Sequence, residues 1–321
     1  MGLVRFVKNQ FRHDRNMKRI LDAHAASIAR MSHELETETI SRKTDLLKEK
    51  VMTSIDMGIT EERYDGQEIV VSLTSFGKRI HEVYLAIESI MQGTLKPNRI
   101  ILWLSEDEFK GKTLPQTLLH QQRRGLQICY CEDIKSYKKI VPTLVKYPDA
   151  CIVTIDDDLV YEFDLLENLI QAHIENPEDI CACRMHRITL NENNRPNSYL
   201  LWDLQIYPEP GNKSPLHFLT SGGGTLFPPH CFTKEFFNQD NFMSLCPYAD
   251  DVWINAMLLL SRRKITKAYT HSTLGCDYFP IRLYQDDALS IKNTDEKECK
   301  NDLQIKSVFD HYNLYQYLSK D

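Results

Sequence analysis

The sequence predicts an α/β fold in which a mostly parallel sheet is covered by helices on both faces, with a helical extension in front of it. Three observations carry this prediction. From residue 68 onward, short apolar runs rich in β-branched residues alternate with segments of helical spacing, the pattern of βαβ units. Residues 1–66 differ: they lack proline, hold few aromatics and are dense in Lys, Arg, Glu, Met and Leu. The chain of 321 residues, 42% hydrophobic and 26% charged, can also bury a sizeable core and has the balance of an ordinary globular protein. The predicted division is a helical N-terminal extension over 1–66 and an α/β domain over 67–321.

In the extension, Met17, Leu21, His24, Ile28, Met31 and Leu35 recur at alternating spacings of four and three. This heptad-like stripe predicts a homodimer paired through residues 17–35. Ahead of it, Val4, Val7 and Phe11 share one helical face with Leu3 beside them, and Arg5, Lys8, Arg12, Arg15 and Arg19 surround that face. A basic amphipathic helix of this kind lies in the interface of an anionic membrane. Residues 64–66 (YDG) read as a turn into the next element.

Strands are predicted at 68–74, 99–104, 126–130, 150–155 and 179–183, each a short run such as EIVVSLT, RIILWL or ACIVTI. Helices are predicted between them at 81–91, 114–123, 136–146 and 164–176, from spacings such as Val83, Ala86, Ile87 and Ile90. Beyond about residue 185 polar turns, a glycine run and aromatic-rich segments take over, as in a half-domain that builds a site. A further strand is predicted at 264–269.

The net charge of −6 lacks the basic excess of a duplex binder, so nucleic acid is not an expected partner. The charge is uneven: residues 1–30 hold seven basic residues against two acidic ones. Nine cysteines with no C-x-x-C pair argue against a structural zinc site and for buried thiols in a reducing cytoplasm. No stretch approaches 18 apolar residues and no secretory leader is recognisable. The expected location is therefore cytoplasmic, peripheral on the inner face of the cell membrane.

Chemistry concentrates at two acidic runs. Asp156, Asp157 and Asp158 directly follow the strand ACIVTI. In open α/β sheets ligands bind outside the carboxyl ends of strands. Three adjacent carboxylates repel one another, and a divalent cation, Mn²⁺ or Mg²⁺, offsets that repulsion and bridges to phosphate. In an extended segment Asp156 and Asp158 share a face and approach one ion together. The competing reading is a solvated acidic turn or a helix N-cap. Asp250 and Asp251 open a helical segment that includes Trp253; one acid there caps the helix and the other is free to act as a base, with Trp253 as an apolar wall. Asp251 is the expected base and Asp250 the alternative. Between the two runs, Gly222, Gly223 and Gly224 let the backbone approach a ligand closely, unless they form only a flexible turn.

This ordered set resembles the GT-A glycosyltransferases, over roughly residues 68–305. The strand followed by D-x-D resembles their metal and nucleotide-sugar motif. Residues 72–80 (SLTSFGKRI) resemble the first strand and loop, 133–142 (DIKSYKKIVP) a lysine-bearing segment of bacterial polysaccharide members, 221–225 (SGGGT) the acceptor-side loop, and 249–255 (ADDVWIN) the acidic motif of inverting members. The resemblance implies a GT-A-like fold with a Rossmann-like nucleotide-binding half. It also implies transfer from a nucleotide-sugar, a UDP-sugar by expectation, to a saccharide or lipid-linked saccharide acceptor in surface polysaccharide synthesis. Thr74, Ser75 and Arg79 would then meet the nucleotide, and Asp157 would bind substrate beside the metal. Lys138 or Lys139 would neutralise the leaving diphosphate, although a solvated helix face competes for any single lysine. His271 is placed as a third metal ligand beside Asp156 and Asp158, with a plain surface histidine as the alternative. Two other classes compete: a metal-dependent nucleotidyl- or phosphotransferase, and a non-catalytic glycan-binding protein.

Overall fold

The computed structural model describes residues 2–269, 278–281 and 299–318. It divides into two compact units, Met1–Leu46 and Leu47–Asp321. The first is the greater part of one long helix, α1 (Gly2–Thr53). Along it Met17, Ile28, Met31 and Leu35 of the heptad stripe are exposed. The last turns of α1 belong to the second unit, where Leu47 packs in a cluster with Leu85, Val160 and Ile281. The structural division thus falls about twenty residues before the composition change, because Leu47 and Val51 are buried.

The second unit is built on a mixed sheet of seven strands. In chain order the strands of the unit are β1 (Ile69–Thr74), β2 (Arg99–Ser105), β3 (Leu126–Cys131), β4 (Cys151–Thr154), β5 (Leu159–Tyr161), β6 (Ile180–Ala182), β7 (Met185–Arg187), β8 (His217–Leu219), β9 (Thr225–Phe227), β10 (Ile265–Lys267) and β11 (Tyr278–Pro280). The central sheet has the order β10-β6-β9-β4-β1-β2-β3, and two small pairs, β11-β5 and β7-β8, stand beside it. β1 pairs parallel with β2 and β4, β2 with β3, and β10 with β6. Only β9 is reversed, antiparallel to both β4 and β6.

The helices that cover the sheet are α2 (Val83–Met91), α3 (Glu106–Phe109), α4 (Gln116–Arg123), α5 (Val141–Lys146), α6 (Leu165–Glu175), α7 (Gln239–Leu245), α8 (Asp250–Leu260) and a C-terminal helix, Lys300–Tyr312. Successive residues of each strand enter different cores, as the two-residue period requires. Val70, Ile101, Ile152 and Phe227 join the core that holds α8 and the C-terminal helix. Ile69, Val71, Ile100, Leu102, Val153 and Leu226 join the core under α2 and α6. Burial on both faces is why these strands read as continuous apolar runs and not as alternating ones.

The predicted helix at 136–146 is split. A 3₁₀ turn, Lys135–Lys139, precedes α5, which starts with Pro142 in its first turn. Proline has no N–H and disfavours helical geometry in the residue before it, so the α-helix begins only there. The split matters because it turns Lys139 inward.

One charged pair is fully inside the second unit. Glu88 is 0% exposed, and Arg124 Nη1 donates to both of its oxygens at 2.8 and 2.9 Å. Gln92 and Gln121 donate to the same carboxylate, and Arg124 Nε donates to the Asp56 carbonyl. Removing one partner of such a pair leaves a buried charge without compensation. Arg124→Ala is expected to destabilise the domain by about 3–5 kcal/mol, read as a lower urea midpoint. A change below about 1 kcal/mol would show that the pair is not needed.

Candidate active site

β4 ends at Thr154, and Asp156, Asp157 and Asp158 follow within four residues. β1 ends beside it at Thr74 and delivers Ser75 and Arg79 to the same edge. β9 runs the other way, so its start lies where its neighbours finish: Thr225 is in register with Thr154 and with Ala182. The loop 221–224 that precedes β9 therefore lands on the acidic run of β4. Thr154 Oγ1 donates to the Ser221 carbonyl at 2.9 Å.

Gly222 shows how close that approach is. A Cβ added there would lie 1.6 Å from Asp156 Oδ2, so no side chain fits without moving the carboxylate. Gly224 has φ +94°, in the left-handed region that glycine favours. Tyr161 locks the arrangement: its hydroxyl accepts from the Asp156 N–H at 2.7 Å and donates to the Gly222 carbonyl at 2.5 Å.

α8 supplies the second acidic run. Ser221 N–H and Oγ both donate to Asp251 Oδ1, at 2.8 and 2.6 Å. Its other oxygen has no protein donor among the described residues. Asp250 is turned inward, 7% exposed, and pairs with Lys139 at 3.1 Å. The same ammonium donates to Asp156 Oδ1 at 2.7 Å. One lysine thus joins two acidic runs that lie 94 positions apart in the chain. Burial by itself would lower the Lys139 pKa, but the charges of Asp156, Asp250 and Asp251 hold it well above the ordinary lysine value.

Arg79 plays the matching part for the other two aspartates. It is 8% exposed and pairs with Asp157 at 2.8 Å and with Asp158 at 2.9 Å. Ser75 Oγ donates to the far oxygen of Asp157 at 2.6 Å. Burial raises the Asp157 carboxyl to about 6 against the opposing pull of Arg79. Asp158 is raised too, first by burial and then by the charge of Asp156. Asp251 is raised to about 6, first by burial and then by Asp250.

Of the residues that the sequence singles out, Ser75, Arg79, Lys139, Asp156, Asp157, Asp158, Gly222, Gly223, Gly224, Asp250 and Asp251 come to this one sheet end. Thr74 stands at its rim and donates to the Trp103 carbonyl. Lys138 does not join them: its ammonium is held by Asp133, which also takes Lys135. Trp253 is fully buried, donates to the Phe236 carbonyl and packs edge-on against Phe242, so it is a core residue and not an apolar wall beside Asp251. His271 lies outside the described residues. Three participants escape the sequence reading: Tyr161, Ser221 as the anchor of Asp251, and Arg184. Arg184 follows β6 by two positions, its Cβ is 2.6 Å from where Gly223 would carry its own, and its buried Nε finds no hydrogen-bond partner among the described residues. Its place just past a strand's carboxyl end was the available signal.

The donor set suits a hard divalent cation in kind, since Asp156 and Asp158 are oxygen donors, and burial and then the charge of Asp156 raise the proton affinity of Asp158. Among the described residues no three His, Cys, Asp or Glu side chains converge as a complete cage. The eight described cysteines are free thiols.

No protein-family model matches the chain, and no curated protein matches it. Among solved structures it is similar to a CMP:2-keto-3-deoxy-manno-octonic acid synthetase complexed with CTP, at 13% identity over 63% of this chain and 88% of that one, with a TM-score of 0.36. It is also similar to HddC from Yersinia pseudotuberculosis, at 14% identity over 51% of this chain and 77% of that one, with a TM-score of 0.32. At TM-scores below 0.5 neither likeness says anything of what this chain does.

A carboxyl raised in the fold favours the folded state while protonated. The contribution of Asp251 is complete below its ordinary value of 3.8 and is lost as pH rises through about 6. Asp251→Asn, which cannot ionise, is therefore expected to lose less stability than the wild type between pH 4 and pH 7, by on the order of 3 kcal/mol. Melting curves across that range decide it, and parallel pH profiles for the two proteins would remove the raised carboxyl from the account.

Proposed function

We propose that the chain is a metal-dependent glycosyltransferase that moves a sugar from a nucleotide-sugar, a UDP-sugar by preference, to a saccharide or lipid-linked saccharide acceptor, with inversion. The observation that carries this reading is the shared ammonium of Lys139, which makes the acidic run after β4 and the acidic start of α8 one site. Displacement at an anomeric carbon needs a held diphosphate, a base for the incoming hydroxyl and relief of charge on the leaving group.

Asp156 and Asp158 would hold Mn²⁺ or Mg²⁺, whose chemistry when bound is to neutralise the diphosphate. Arg79 keeps Asp157 and Asp158 in place. Ser75 and Thr74 at the end of β1 border the nucleoside side, and the loop 222–224 borders the acceptor side. Asp251 takes the proton of the acceptor hydroxyl at the oxygen that Ser221 leaves open, and its raised pKa of about 6 keeps it both ionised and basic near neutrality. Asp250, neutralised by Lys139, is a positioning residue.

The extension adds attachment. Its basic first turns are drawn to anionic lipid, and its exposed stripe pairs with a second copy. No helix among the described residues is long and apolar enough to cross a membrane.

UDP release from a panel of UDP-sugars with Mn²⁺ is the decisive assay. Activity is expected with at least one donor, and Asp251→Asn should lower turnover by about 10²–10⁴ while UDP affinity is kept. Pyrophosphate release from a nucleoside triphosphate in place of UDP release would make the protein a nucleotidyltransferase instead. For the extension, Ile28→Glu is expected to shift the protein to monomer in light scattering while flotation with anionic vesicles at low salt persists. An unchanged mass would remove the heptad pairing.

A further inference from the structure

Further along α8 from Asp251 lies a cavity of about 340 Å³ that the proposed reaction does not use. Asn255 separates the two: it lines the cavity, while its amide donates to the Asp251 and Leu219 carbonyls at 2.7 and 2.8 Å. The floor is apolar, made by Phe218, Leu258, Leu259, Ile265 and Phe309. The rim is cationic. Lys213, Arg262, Arg263 and Lys264 line it and no carboxylate does.

Two of those cations are already balanced. Lys213 pairs with Asp179, and Arg263 pairs with Glu178. Arg262 and Lys264 are exposed, and no carboxylate pairs with either among the described residues. The Arg262 guanidinium stands 5.7 Å from the Tyr317 ring centre, a second amphipathic edge to the mouth. Arg262 has φ +56°, so the turn between α8 and β10 bends back on itself and carries three consecutive cations to one opening.

We propose that this cavity is a second ligand site, for a small anionic amphiphile: a short apolar body carrying one phosphate or sulfonate group. An apolar floor alone would take a neutral molecule, and a cationic rim alone would take free phosphate. The two together select a ligand with both parts. The volume is near the lower bound of small-molecule sites, roughly 300 Å³, which limits the body to a short chain or one ring.

Octyl phosphate is the probe, titrated calorimetrically against the full-length protein without nucleotide-sugar or metal. One saturable site per chain is expected. Its Kd should rise at least tenfold in Lys264→Glu, at least tenfold in Leu259→Trp, which fills the cavity, and severalfold from low to moderate salt. Asp158→Asn should bind as the wild type does, which separates this site from the acidic one. Equal melting temperatures of Lys264→Glu and wild type confirm that an exposed charge alone was changed. The proposal is overturned by the absence of saturable binding, by wild-type affinity in both Lys264→Glu and Leu259→Trp, by loss of binding in Asp158→Asn, or by inorganic phosphate that binds as tightly as octyl phosphate. None of these outcomes depends on whether the protein releases UDP.

Discussion

One buried ammonium holds the site together. Lys139 lies between Asp156 and Asp250, and without it two carboxylates from separate parts of the chain would face each other across a region of low dielectric. A lysine buried in this way is costly unless its partners are ionised and close. Here they are both. The geometry depends on Pro142, which stops the α-helix from reaching back through residues 135–139 and leaves Lys139 on a 3₁₀ turn beside β1. Arg79 repeats the device on the other side of the run, so that four aspartates are paired with two buried cations.

Strand direction decides which loops can meet these aspartates. A parallel sheet gathers the carboxyl ends of its strands at one edge. The reversed strand β9 brings something different to that edge, its leading loop. Gly222 allows that loop to touch Asp156, and Ser221 then reaches Asp251 with both its N–H and its hydroxyl. The loop is thus fixed from both sides and is not a flexible turn. Tyr161, from the small β5–β11 pair, closes the same contact from below.

α8 has two working faces. Toward the sheet edge it presents the acids, and toward the C-terminal helix it buries Trp253, Ile254, Met257 and Leu258. That partition explains why Trp253 serves the core although it lies two residues from Asp251: on a helix, positions two apart point to different sides. The basic-rimmed cavity begins where α8 turns into β10, and Asn255 lies between it and the Asp251 backbone.

Much of this was legible in the sequence. The β-branched runs at 68–74, 99–104 and 150–155 are strands because burial on both faces demands continuous apolar residues, and that demand is local. The crowding of Asp156, Asp157 and Asp158 at a strand's end was legible for the same reason, since proximity in sequence ensures proximity in space. What the sequence could not decide is pairing across distance. Lys138 and Lys139 are adjacent and chemically identical, yet one turns to Asp133 and the other to Asp156 and Asp250. The direction of β9, the anchor that Ser221 gives Asp251 and the unpartnered Nε of Arg184 likewise depend on contacts between residues 30 or more positions apart. Local periodicity fixes which residues form a strand or helix; only the packing of those elements fixes which charges must face one another, because a buried charge takes its partner from whatever the fold places within a few ångströms.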